Sequence, residues 1–267
     1  SEVVEENMAN AARVHAVERG KEIRGRTLVA FGGGAALHAA RLARKLNISE
    51  VIVPVAAGVG SAVGFLQAPV AYEVVRSRYA LLDAAFDVDG LNGLFGEMRD
   101  EAQHIVAEAA PDSDLIETRT ADMRYRGQGH EITVDLPPGP YDSSLRETLA
   151  ALFDTAYTAT YSRRIPGLDV EVMNWTLRLS AAVEDPAPCP PAPAASTPKP
   201  VGTRDLFDPD TGQLSPAPVY HRDALSPGDE IVGPSVIAED ETTTIVPAGF
   251  TARLNAVGYI VLQWEAP

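Results

Sequence analysis

Residues 27–53 constrain the fold more tightly than any other stretch of this chain. Thr27-Leu28-Val29-Ala30-Phe31 is a short apolar run of the kind that forms a buried strand, and Gly32-Gly33-Gly34 ends it. A helical pattern follows in which Ala39, Leu42, Ala43 and Leu46 share one face, and Val51-Ile52-Val53-Pro54 closes the unit. Two strands joined by a crossover helix pair in parallel. Ligands of open parallel sheets sit beyond the carboxyl ends of the strands, which is where the three glycines lie. The expected class is therefore α/β.

Around this unit the sequence lays out a longer plan. From Ser1 the residues Val4, Met8, Ala11 and His15 keep one helix face apolar until Gly20, so the chain starts inside a helix and without Met, as a cut chain would. A second glycine-rich turn runs from Gly58 to Gly64, and residues 68–82 are expected to be extended. Leu91, Leu94, Phe95, Met98, Ala102, Ile105 and Val106 make a strong amphipathic helix ended by Pro111, and Leu145, Leu149, Leu152, Phe153 and Ala156 make another. Between them, residues 122–125 and 132–136 alternate like two strands of a hairpin turning at Gly127-Gln128-Gly129, and residues 170–182 add a further strand. Seven of the 21 prolines fall in residues 186–200, which favours an extended strap. Beyond it come short runs, Ala217–Tyr220, Ser235–Ala238, Thr242–Val246, Thr251–Leu254 and Tyr259–Gln263, punctuated by Pro-Gly, Gly-Pro and Ala-Gly turns, an all-β pattern. The division expected from sequence is thus residues 1–82, an α+β region 83–185, a proline-rich linker 186–202 and a β module 203–267.

Composition removes several functions. Lys and Arg number 22 against 37 Asp and Glu, a formal charge of −15, and the longest basic runs are pairs such as Arg163-Arg164. A phosphate backbone must be met by clustered cations, so nucleic acid is not an expected partner. No run of about 18 apolar residues exists to span a bilayer, and residues 1–10 are acidic where a signal peptide is basic and then apolar. No membrane partner and a cytoplasmic location are expected. The single cysteine, Cys189, excludes an intrachain disulfide and a Cys-based zinc site. His15, His38, His104, His130 and His221 are scattered without paired spacing, so no metal site is expected within the chain.

The glycine turn can be sorted among nucleotide folds. A Walker A loop needs Lys and Ser/Thr after its last glycine, and Ala35-Ala36-Leu37 stand there instead. The dinucleotide fingerprint would require a glycine at Leu37 and an acid at the end of the second strand, and both are missing. What remains is LVAFGGGAALHA, a strand, glycines, then a helix. Glycines without side chains admit a base, ribose or phosphate to the backbone, and the free amides of a helix start favour negative charge. His38, one turn into that helix, and Arg124 and Gln128, at the hairpin tip, are possible substrate or interface residues. Glu239-Asp240-Glu241 reads as a solvated turn rather than a cation site.

LVAFGGGAALHA resembles the adenosine-binding motif of the actin, hexokinase and Hsp70-like ATPases, which makes Gly32, Gly33, Gly34 and Ala35 the candidate nucleotide contacts. Residues 3–70, DMRYRGQGHEITVDLP, and residues 219–263 together resemble, in order and over nearly the whole chain, the C-terminal part of the hydantoinase A/5-oxoprolinase/acetone carboxylase subunit family. The resemblance implies half of an actin-like ATPase domain, followed by the α+β region and the small all-β module. It implies a cytoplasmic hetero-oligomeric enzyme that uses ATP and Mg²⁺, the metal ligands lying outside this chain. In hydantoinase and oxoprolinase relatives a cyclic-amide carbonyl oxygen is activated by phosphorylation and water opens the ring. In acetone and acetophenone carboxylase relatives ATP drives carboxylation of a ketone, and a non-catalytic assembly subunit is a third expectation.

The family's Asp-rich, Gly-Gly-Thr phosphate loop has no counterpart here. The N-terminal half of the same subunit, or a separate chain, is expected to supply it, and a second large subunit of the hydantoinase B type is expected as partner. Catalytic residues are unknown and are expected outside the chain. At Gly34-Ala35-Ala36 relatives usually read Ala-Gly-Pro, which puts the contacts there in question and leaves room for a non-hydrolysing form.

Overall fold

The computed structural model describes residues 2–183, 186–191 and 193–264. Ser1, where the first helix was expected to begin, Ala192 of the proline-rich strap and the last three residues of the β module lie outside them. The chain forms two compact units, one built from residues 1–68 together with 186–267, the other from 69–185.

The first unit begins with helix α1 (Glu2–Glu18), strand β1 (Thr27–Val29), helix α2 (Ala35–Leu46) and strand β2 (Glu50–Val53). β1 and β2 pair in parallel with Leu28 opposite Val51, as the crossover demands. α2 buries Ala36, Ala39, Ala40, Leu42, Ala43 and Leu46 along one face. It ends where Asn47 turns left-handed at φ 57°, and the Ile48 amide then reaches back to Ala43 O at 2.9 Å. After β2 a 3₁₀ turn (Ala57–Val59) runs into α3 (Gly60–Gln67).

α1 departs from expectation. The stripe Val4, Met8, Ala11 and His15 faces outward, and the helix turns Glu5 and Ala9 inward instead. Its docking is largely ionic. Glu5 meets His38 and Arg41, and Lys45 is bonded to Glu2 and Glu6, while Ala9 fills the shared core. An apolar stripe identifies a face that must be covered, but these charge pairs decide which face α2 covers.

The second unit is continuous in sequence: β3 (Ala71–Leu81), α4 (Val88–Ala109), β4 (Leu115–Tyr125), β5 (Ile132–Leu136), α5 (Leu145–Tyr161) and β6 (Val170–Ala181). Its antiparallel sheet has the order β3-β6-β4-β5. Asp87 caps α4 by accepting the Gly90 amide at 2.8 Å. The apolar faces read from sequence, Leu91, Phe95, Met98, Ala102 and Val106 of α4 and Leu145, Leu149 and Phe153 of α5, are buried with Met123, Trp175, Leu177 and Leu179 of the sheet.

The chain then returns to the first unit along the proline-rich strap, with Ser196 bridged to Asp229. Seven strands follow: β7 (Gly202–Asp208), β8 (Gln213–His221), β9 (Glu230–Val232), β10 (Ser235–Ala238), β11 (Thr243–Val246), β12 (Thr251–Leu254) and β13 (Ile260–Gln263). β11-β10-β8-β7 form one sheet, but β9, β12 and β13 join the parallel pair in a five-stranded sheet, β1-β2-β13-β12-β9. β13 lies antiparallel on β2 with Val261 opposite Ile52.

This corrects the sequence-based division. Residues 203–267 are not a module apart, and the first boundary falls at 68/69 rather than 82/83. The local pattern of turns marks the β12–β13 hairpin, but the edge it joins is fixed by β2, whose half-buried strand needs a partner on its far side. Among the described residues no helix is long and apolar enough to cross a membrane.

Candidate functional site

At the carboxyl ends of β1 and β2 the two glycine turns meet. Gly32 adopts φ +106°, a conformation open to glycine, and so swings the chain out of β1. Its amide donates to Ala57 O at 2.6 Å, tying the first turn to the second. The Ala35 amide donates back to Gly32 O at 3.1 Å. Gly34 is the N-cap of α2 and offers no side-chain bond, and no acid stands in the first helical turn. The amides of Ala36 and Leu37 therefore start the helix without an intrahelical partner, in a chain whose net charge is strongly negative.

The turn between β10 and β11 forms the third side. Thr242 Oγ1 donates to Gly33 O at 2.9 Å. A Cβ on Gly58 would lie 2.4 Å from Glu241 Cβ and 2.8 Å from its carbonyl oxygen, so only glycine fits there. A Cβ on Gly33 would meet the same carbonyl at an ordinary 3.6 Å. Beside this cluster an open groove of about 380 Å³ is lined by Val55, Ala56, Asp223, Glu239, Asp240 and Glu241 among others. Arg222 is buried in its wall, paired with Glu239 at 2.9 Å and donating to the carbonyls of Pro54, Val53 and Gly258. That one guanidinium fastens the returning strands to the end of β2.

The other candidates are placed as follows. His38 Nδ1 lies 3.2 Å from Glu5 Oε1, on the side of α2 that receives α1, and Glu5 Oε2 lies 3.3 Å from Arg41 Nε. Arg124 and Gln128 belong to the second unit, where both anchor the hairpin. Arg124 Nε donates to Glu171 Oε1 at 2.7 Å, Tyr79 donates to the other oxygen at 3.2 Å, and Gln128 Nε2 donates to Tyr157 Oη at 2.8 Å. Burial pushes the Glu171 carboxyl up. The hydrogen bonds from Arg124 and Tyr79, the Arg124 charge and the Gly127 amide outweigh it and hold the group below the usual glutamate range.

Glu239 is committed to Arg222, whereas Asp240 and Glu241 are exposed. Among the described residues no group of His, Cys, Asp or Glu is arranged to hold a metal ion. The glycine cluster thus fits the approach of an anionic group to bare backbone, but supplies no ligand set for Mg²⁺. Sequence reasoning missed Glu5, Arg222 and Thr242, which act across 33 to 209 residues of sequence. Gly58 carried a signal, being part of a recognisable tight turn.

Comparison with known proteins decides the family. Residues 85–263 match the hydantoinase/oxoprolinase C-terminal domain, and residues 1–74 match the hydantoinase/oxoprolinase model. The chain belongs to the hydantoinase/oxoprolinase family. Caprolactamase subunit alpha of Pseudomonas jessenii is 28% identical over 93% of this chain and 36% of its own length. Acetophenone carboxylase gamma subunit of Aromatoleum aromaticum is 26% identical over 98% of the chain and 37% of its own. Among solved structures, a chain of ATP-dependent caprolactamase from Pseudomonas jessenii superimposes with a TM-score of 0.75 at 26% identity, covering 98% of this chain and 39% of that one. The hydantoinase/oxoprolinase chain described here therefore spans little more than a third of these relatives.

Proposed function

We propose that these residues are the C-terminal part of a subunit of an ATP-dependent cyclic-amide hydrolase, which works in the cytoplasm with a second large subunit. The observation that carries the reading is the glycine cluster: bare backbone at Gly33 and Gly34, Gly58 pressed on Glu241, and an uncapped, acid-free start of α2. Gly32, Gly33, Gly34 and Ala35 are the proposed nucleotide contacts, in half of an actin-like nucleotide domain. Ala35 serves through its position, since its amide is already given to Gly32 O. His38, Arg124 and Gln128 remain candidates for substrate or interface contacts, with the ion pairs and hydrogen bonds above holding them in place.

An amide carbonyl reacts slowly with water at neutral pH. ATP supplies the phosphoryl group that makes the carbonyl carbon electrophilic. In this chain the positive end of α2 favours the nucleotide's anionic charge, and Thr242 steadies the Gly33 carbonyl so that the turn keeps its shape. The phosphate loop, the metal ligands and the catalytic groups are assigned to the portion of the subunit beyond these residues.

Gly33→Val tests the site. Its Cβ has room, so the fold is retained, but the added methyls close the backbone to a ligand. Expected is a loss of ATP affinity of roughly tenfold or more in the assembled enzyme with an unchanged melting temperature. Unaltered ATP binding by the variant sinks the assignment. Two other readings have specific support. The likeness to an acetophenone carboxylase subunit favours a ketone carboxylase, distinguished by incorporation of labelled bicarbonate into product. The Gly34-Ala35-Ala36 sequence, with one amide turned inward, favours a non-catalytic assembly subunit, which binds no ATP even with all partner chains present.

A further inference from the structure

A second cavity of the first unit lies where the turn of hairpin β7–β8 meets the last turns of α2. It measures about 120 Å³, room for one short aliphatic chain. Leu206, Phe207, Pro234, Ile245 and Pro247 give it an apolar wall. Its charges come in opposed pairs, Arg41 and Arg44 from α2, Asp208 and Asp210 from the hairpin turn. None of these residues borders the groove beside the glycine cluster.

Arg44 is fixed from three sides. Its Nη2 donates to Ala248 O at 2.9 Å, its Nη1 donates to Asp210 Oδ2 at 2.8 Å, and its guanidinium lies 5.3 Å and 5.9 Å from the ring centres of Phe250 and Trp264. Arg41 is held by Glu2 and Glu5 and lies 3.8 Å from the other Asp210 oxygen. Asp208 serves its own turn, accepting the Asp210 amide at 3.0 Å and the Thr211 hydroxyl at 3.1 Å. Asp210 is the loose member of the group. Its side chain is 60% exposed, against 16% for Arg41 and 36% for Arg44, and it sits on a turn, so it can withdraw while the guanidiniums stay.

This pattern selects a ligand by charge. An anion bound at Arg44 would displace Asp210 and leave that carboxylate beside Asp208 without its cation, and a cation bound at Asp210 would strip Arg44 of its partner. A zwitterion does neither. Its carboxylate replaces that of Asp210 on Arg44 while its ammonium pairs with Asp210, so every charge keeps an opposite neighbour. Its aliphatic chain covers the apolar wall. We propose that this cavity binds an aliphatic amino acid as its zwitterion, inserted into the Arg44–Asp210 ion pair. The glycine turn lies at the other end of α2, a helix of 12 residues and about 18 Å, so ligand and nucleotide do not compete. Opening a cyclic amide yields this class of molecule, so the ligand's being a product rests on the hydrolase reading, whereas the binding rests on the cavity alone.

The test is hydrogen exchange on the native assembly without nucleotide. It is read with norleucine and its isomer ε-aminocaproate, and with caproate and hexylamine as carriers of one charge each. Expected is a slowing of about tenfold across residues 208–212 with at least one of the two zwitterions, at about ten times its half-saturating concentration, and no response to caproate or hexylamine. No slowing with either zwitterion overturns the proposal. So does equal slowing by caproate, which would make the cavity an anion site.

Asp210→Asn keeps the shape of the turn and removes the charge that the ammonium needs. The side chain is exposed, so the melting temperature is expected to stay within about 2 °C, while the half-saturating concentration rises roughly tenfold or more. If Asp210 merely latched the hairpin, the variant would exchange faster without ligand and keep its response to the zwitterion, and that outcome also sinks the proposal. Because neither ATP nor substrate is present, an empty nucleotide site leaves these outcomes unchanged. A cavity that ignores zwitterions in an enzyme that still opens cyclic amides refutes the amino-acid site alone.

Discussion

The two units reach a buried core by different routes. The second is one continuous segment whose helices lie on an antiparallel sheet, and its interior is heavy with aromatic side chains. Phe95 meets Trp175 edge-on at 6.0 Å between centroids, and Tyr125 meets Phe153 at 4.9 Å. The first is assembled from two distant stretches. Its core is mostly Ala, Val, Leu and Ile, with Tyr220 and Phe250 as its buried aromatics and small alanines along α2. It depends on single polar fasteners, Arg222 above all, and leaves strand edge and helix face uncovered. A region can be well packed inside and still be incomplete at its border.

The chain carries its own reporters for this comparison, because Trp175 lies in the second unit and Trp264 in the first. Phe153→Ala removes a fully buried ring and is expected to cost about 3–5 kcal/mol, lowering the urea midpoint read by Trp175 alone. Arg222→Ala is expected to cost about 3–5 kcal/mol in the first unit, since it strands the Glu239 carboxylate and three carbonyls. Its signature is a shifted Trp264 transition with the Trp175 transition unmoved. A common shift in both signals would break the comparison.

Gly58→Ala is expected to cost about 1–3 kcal/mol by overpacking on Glu241, again on the Trp264 side, and to weaken ATP binding by displacing the 239–242 turn. Full ATP affinity in that variant would detach the turn from the site.

The smallest effect is one of pH. Glu171 is held below its ordinary range when folded, so the unfolded chain binds the proton more tightly. The stabilisation is therefore complete above the usual glutamate pKa of about 4.3 and is lost as pH falls through the lower folded value. Glu171→Gln should flatten this acid limb in the Trp175 transition. An identical limb in the variant would assign the acid response to other groups.

Much of the second unit was legible because its signals are local. The stripe from Leu91 to Val106 and the turn at Gly127-Gln128-Gly129 both sit within the elements they define. The β1-α2-β2 crossover was legible for the same reason. The destination of the C-terminal strands was not, because pairing of β13 with β2 joins residues that no window of sequence holds together. Strands β7 and β9 were missed, being weakly apolar or very short. The turn after β1 was readable from its three consecutive glycines. Thr242 and Gly58 acquire their roles from contacts between segments far apart in the chain, and Glu5 is an acid buried by its cationic neighbours against the preference of its type.

The insertion of one unit within the other has a consequence for synthesis. A ribosome adds about 5–20 residues per second, so β2 emerges roughly 10–40 s before β13, its antiparallel neighbour roughly 200 residues later, has been made. Before that interval ends the second unit has all its strands and both its helices, whereas β2 still lacks its neighbour β13. The nascent chain thus passes through a state with one finished half and one sticky half, and its yield in cells should depend on what shelters β1 and β2 during translation.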